Sequence, residues 1–153
     1  MKLAAILLST FLIIGGIAYL ALDIFPLSFC GRLAMCLMLL FSATTHYKYT
    51  DGFELIVPDN FDDAYKRTVV LVSADLEVAM AMGLLITEIY KFTAILTMLY
   101  FFAVVPATII ASLKKVHIER ANFSGLGLSY LWLRIPLQVF FMAWVYYFGV
   151  YIA

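Results

Sequence analysis

Six side chains in this 153-residue sequence have the types and spacing for joint chemistry: His46, Asp75, Glu77, Thr108, Arg134 and Gln138. Each lies in an otherwise apolar stretch. Arg134 and Gln138 occupy the first two turns of "YLWLRIPLQVFFMAWVYYF" (130–148), and Asp75 and Glu77 open "DLEVAMAMGLL" (75–85). A lone charge in hydrocarbon costs roughly 3 kcal/mol or more, so an acid and a base at one depth are expected to meet. At 1.5 Å rise per residue, Arg134 and Gln138 lie roughly 8 and 14 Å along a helix beginning near 129, and Asp75 and Glu77 roughly 11 and 14 Å along one beginning near 68. Arg134 and Gln138 are i, i+4 and share a face, whereas Asp75 and Glu77 point about 200° apart. Only one carboxylate can turn to the guanidinium, and Glu77 is the expected partner. His46, at the end of its helix, and Thr108, beside Pro106, join the same layer. Ionisable groups from several helices at one depth point to a ligand site or proton path; the plainer alternative is polar glue between helices.

The elements that must position these groups are membrane helices. With 65% hydrophobic and 13% charged residues and a mean hydropathy of +1.02, the chain cannot hide its apolar surface around one water-soluble core. It reads as an all-α membrane protein, one helical domain over residues 1–153, with five spans at about 3–22, 29–47, 68–90, 92–113 and 129–152. Breaks fall at Asp23 with Pro26, from Lys48 to Arg67, at Glu88–Lys91 and from Lys114 to Gly127. The first span has the basic start of a signal peptide, but its apolar run is longer than an h-region and no small-x-small site precedes Asp23, so it is read as an uncleaved helix.

Basic residues favour the cytoplasmic side. Placing the N-terminus inside puts Lys2, Lys48, Lys66, Arg67, Lys114, Lys115 and Arg120 in the inner segments, against Lys91 and Arg32 outside. The expected location is the inner, cytoplasmic membrane of the cell, multi-pass, with the C-terminus outside. Arg32, Glu88 and Asp23 form a thinner outer layer within snorkelling reach of water, given a structural role. Tyr146, Tyr147 and Tyr151 sit where an outer aromatic belt is expected. The inner loop "YTDGFELIVPDNFDDAYKR" (49–67) mixes apolar residues with five acids, as a lid, a docking surface or an ordered connector would.

Several chemistries are excluded or disfavoured. Zero formal charge offers no field for nucleic acid. Cys30 and Cys36 fall on different helix faces and read as buried small hydrophobes. His46 and His117 are the only histidines, so neither haem nor a metal centre is expected. Walker, Rossmann and GxSxG motifs are absent. No self-contained catalytic motif exists. What remains is binding: a quinone or lipid whose tail needs an apolar groove and whose head needs one or two hydrogen-bonding groups.

Four blocks resemble the DoxX-like family of small membrane proteins. They are "GRLAMCLMLLFSATTHY" with Arg32 and His46, "DLEVAMAMGLL" with Glu77 and Gly83, "VVPAT" with Pro106 and Ala107, and "LWLRIPLQ" followed by "AW" at Ala143-Trp144. Thr44 and Thr108 depart from the Gly and Asn usual there, and the helix at 3–22 is additional. The resemblance implies a four-helix bundle plus one extra N-terminal helix. It also implies an accessory, non-catalytic subunit of a quinone-linked membrane oxidoreductase, with a membrane or soluble redox partner. The alternative is a stand-alone transporter or lipid-binding protein with an intramembrane Glu–Arg site.

Overall fold

The computed structural model describes residues 2–22, 26–58 and 60–152; Asp23 lies outside them. Five long helices dominate: α1 Lys2–Leu22, α2 Leu27–Lys48, α4 Asp63–Gly83, α5 Tyr90–Leu113 and α6 Leu128–Tyr146. A short α3, Thr50–Glu54, follows α2; a 3-10 turn, Ile118–Arg120, precedes α6; and α6 runs on as a π turn, Tyr147–Tyr151. No strand occurs among the described residues, only a bridge between His117 and Asn122.

Four of these helices are long and apolar enough to cross a membrane: Leu3–Leu20, Leu27–Lys48, Tyr90–Leu113 and Leu128–Tyr151. In α1, Leu12, Ile13, Ile17 and Leu20 are all exposed while Leu7 is fully buried. A continuous apolar face of that kind suits hydrocarbon better than water. The third long helix in chain order, α4, is as long as α1 but is not among the four, because it opens with Asp63, Lys66 and Arg67 before reaching Asp75 and Glu77.

The expected span 68–90 is corrected in both directions. Its helix starts at Asp63 and stops at Gly83, and the next begins at Tyr90. Hydropathy could not mark that stop, since Leu84, Leu85 and Ile86 are as apolar as the helix before them. Packing decides it. A Cβ on Gly83 would lie 2.6 Å from Thr93 Oγ1, so α5 crosses close against the glycine, and the C-terminal carbonyl of Leu84 accepts a hydrogen bond from Arg32.

Buried residues on α2 face several directions, with Ala34, Met35, Met38 and Leu39 almost fully enclosed. This helix packs along α1 on one side and α4 on the other, while α5 packs along α6; α4 and α5, and likewise α2 and α6, meet only briefly. The two groups are fastened at one end. Trp144 Nε1 donates to Gly31 O (3.1 Å) and Ser28 Oγ to Phe148 O (3.0 Å), and Gly31 leaves room for the Phe148 ring, which a Cβ would strike at 2.1 Å. At the other end the groups stand apart.

Candidate functional site

That separation leaves a half-open cavity of about 720 Å³, within the range of small-molecule sites. Its walls come from the C-terminal half of α2, the middle of α4, α5 from Tyr100 onward and α6 as far as Phe141. Met38, Leu39, Val70, Val104, Leu137 and Phe141 make them largely apolar. The far end is floored by α3 with its following turn, through Phe53, Ile56 and Val57, and by the 3-10 turn, through His117, Ile118 and Glu119. These two floor segments touch. Gly52 sits so tightly on Ile118 that a Cβ would come within 2.0 Å of its carbonyl oxygen. Arg67 ties α3 to α4, 3.7 Å from Asp51 and 3.6 Å from Glu54, and Lys114 Nζ donates to Leu55 O (3.4 Å).

Glu77 is 4% exposed and stands between two partners. Tyr100 OH, from α5, donates to Oε1 (3.0 Å). His46 Nδ1, from α2, lies 3.3 Å from Oε2 and 3.2 Å from Ser42 O. The imidazole is held by stacking on Phe53, ring centroids 4.1 Å apart. A tyrosine, a carboxyl and an imidazole thus join three helices along the cavity wall. The level is set by an axial offset: Glu77 comes about 21 Å after the start of α4 at 1.5 Å per residue, yet it faces a histidine two residues before the end of α2.

Gln138, 6% exposed, donates through Nε2 to the backbone carbonyl of Phe101, the residue after Tyr100. Because a carbonyl only accepts, this contact fixes which end of the amide is nitrogen. Oε1 is left buried without a hydrogen-bond partner, as are Ser112 Oγ and His117 Nδ1, while Glu77 Oε2 makes no hydrogen bond and has only its ion-pair contact with His46. All four residues line the cavity. Buried polar atoms in proteins are nearly always paired, with protein or with water, so four without a hydrogen bond around one space single it out as the candidate site.

Of the residues singled out from sequence, His46, Glu77, Thr108, Arg134 and Gln138 line this cavity. Thr108 is buried and spends its hydroxyl proton on Val104 O, in its own helix. Two expectations are corrected. Glu77 is paired with His46 and Tyr100, whereas Arg134 is half-buried and has no hydrogen bond or ion pair among the described residues. Equal depth was a necessary condition for the Glu–Arg pair, not a sufficient one, since α4 and α6 stand on opposite sides of the gap. Asp75 is exposed on α4 and accepts from Tyr47 OH, outside the cavity.

At the closed end, Arg32 donates to Leu84 O (3.3 Å) and lies 3.9 Å from the centre of the Tyr90 ring. Glu88 is exposed. Cys30 and Cys36 are buried free thiols. Tyr146, Tyr147 and Tyr151 are exposed and outside the cavity. Among the described residues no three of His, Cys, Asp and Glu group closely enough to hold a metal ion.

Tyr100 and Ser112 were missed from sequence, but a signal was present. Thr93, Thr97, Tyr100, Thr108 and Ser112 fall within roughly a 120° sector of one helix, a polar stripe on an apolar cylinder.

Residues 35–149, most of the chain, match a family model described as a domain of unknown function (DUF8561). The chain belongs to that family. No curated protein and no solved structure matches it. The DoxX-like resemblance is thereby overturned. Its four blocks were short and made of residues that apolar helices share widely, an arginine near one end, a glycine at a crossing, a proline in a turn of helix. In the DUF8561 chain those residues do local work: Arg32 holds a helix end and Gly83 a close crossing.

Proposed function

We propose that this protein is a membrane-embedded binding protein for an amphiphile, which it holds in the cavity between α2, α4, α5 and α6. The observation that carries this reading is the set of four buried polar atoms without a hydrogen bond, of which only Glu77 Oε2 has an ion-pair neighbour, around a largely apolar space. An apolar body fits the walls, and a polar group answers the unpaired atoms. In this reading α4 is the fifth span. Its charged first half projects beyond the end of α2 among the floor segments, which is why its composition falls short of the other four. The distribution of lysine and arginine supports a cytoplasmic N-terminus and floor, an outer C-terminus, and residence in the inner membrane of the cell. The association with redox chemistry came only with the family resemblance and is dropped with it.

The test is to purify the protein from its native membrane in mild detergent and identify extracted small molecules by mass spectrometry, beside an Ala107→Phe variant that fills the cavity. The expected result is one apolar amphiphile enriched to near one per chain in the wild type and lost from the variant. Equal lipid content in both would overturn the proposal.

A further inference from the structure

Which amphiphile follows from the kind of polar atom left unpaired. Glu77 uses Oε1 to accept from Tyr100, and its Oε2 has only the His46 nitrogen at 3.3 Å, in a position that does not make a hydrogen bond. Gln138 gives one amide proton to Phe101 O, and its Oε1 is left without a hydrogen-bond partner. Both leftover atoms are therefore acceptors, both residues are more than nine-tenths buried, and both meet α5 at consecutive residues, Tyr100 and Phe101. Two donors along the wall are committed, whereas Ser112 Oγ and the Arg134 guanidinium, which line the same cavity, are not. Tyr100 gives its proton to Glu77, and Thr108 gives its own to Val104 O.

We infer that the ligand carries a hydrogen-bond donor, a hydroxyl or an amine, on its polar end, and that Glu77 Oε2 and Gln138 Oε1 receive it. This rests on the binding function proposed above and narrows its ligand class. A quinone, whose ring oxygens only accept, presents nothing to these two atoms, and a carboxylate head would oppose Glu77. Lining the same cavity, Met38, Leu39, Phe101 and Phe141 offer the apolar surface against which a chain or ring would lie. Two acceptors leave the source open between a neutral alcohol and an ammonium.

The experiment compares probes of one chain length on the purified full chain, by displacement of a fluorescent apolar dye: hexadecanol, hexadecylamine, hexadecyl methyl ether and palmitate. The inference predicts that hexadecanol or hexadecylamine binds at least tenfold more tightly than the ether; palmitate binding more tightly than both would place the polar end against Arg134 and overturn it. It predicts further that Gln138→Met and Glu77→Gln each shrink the preference over the ether to threefold or less. Should alcohol, amine and ether bind equally to the wild type, the donor inference fails while the binding function stands. If no probe displaces the dye, both fail. A tighter amine than alcohol assigns the source as a long-chain base, and the reverse as a long-chain alcohol; either supports the inference.

Discussion

Glu77 of α4 and His46 of α2 stand 3.3 Å apart, carboxyl oxygen to ring nitrogen, with Tyr100 of α5 closing the other side of the carboxyl at 3.0 Å. Three helices thus share one buried acid, and the packing of the cavity wall depends on it.

Tyr100 and Glu77 should therefore be energetically coupled. Tyr100→Phe and Glu77→Gln, measured singly and together by thermal unfolding in detergent, are expected to show an interaction of about 1 kcal/mol. Arg134→Leu combined with Glu77→Gln should instead add within about 0.5 kcal/mol, because the guanidinium and the carboxyl are not paired. Strong coupling of the second pair, with none in the first, would reassign the partner of Glu77.

Arg32 works at the opposite end, holding the carbonyl of Leu84, the residue that caps α4, and stacking on Tyr90. Replacing it with Met removes a charge-assisted hydrogen bond and a cation–π contact, for an expected loss of about 1–3 kcal/mol. Glu88→Ala, on an exposed side chain, should stay within about 0.5 kcal/mol of wild type. Comparable melting shifts for the two variants would contradict the separate roles.

The floor of the cavity is most sensitive at Gly52, where a Cβ would sit 2.0 Å from the Ile118 carbonyl oxygen. Gly52→Val should push α3 off the 3-10 turn at a cost of about 1–3 kcal/mol, and proteolysis within 55–62 should accelerate. Gly16→Ala is the control. Nothing lies within 4 Å of its position, and alanine in mid-helix is neutral or stabilising by about 0.5–1 kcal/mol. Unchanged cleavage in Gly52→Val would show that the floor segments are not joined.

The helices were legible in the sequence because apolar length is a local property. Five long helices appear close to where hydropathy places them, except where an apolar stretch such as 84–86 runs past a packed glycine. Which polar residues face the cavity was legible in part, from depth and from the 100° period, which separates Asp75 from Glu77. Their partners were not. Pairing depends on the lateral order of helices and on the axial shift of α4 against α2, and neither leaves a trace in the spacing within one helix. Tyr100 was hidden for a related reason, since one tyrosine among many looks like a membrane anchor until the Thr and Ser residues sharing its face are counted with it.

The central claim is that an amphiphile occupies the cavity with its polar end against Glu77 and Gln138. A hexadecanol analogue with a photoactivatable diazirine near its hydroxyl, cross-linked to the protein in vesicles and mapped by mass spectrometry, tests it most directly. Labelling concentrated on Phe101, Val104, Leu137 and Phe141, and abolished by excess hexadecanol, is the predicted result. Label spread instead over outward residues such as Leu12, Leu20 and Phe102, unmoved by competitor, would contradict it.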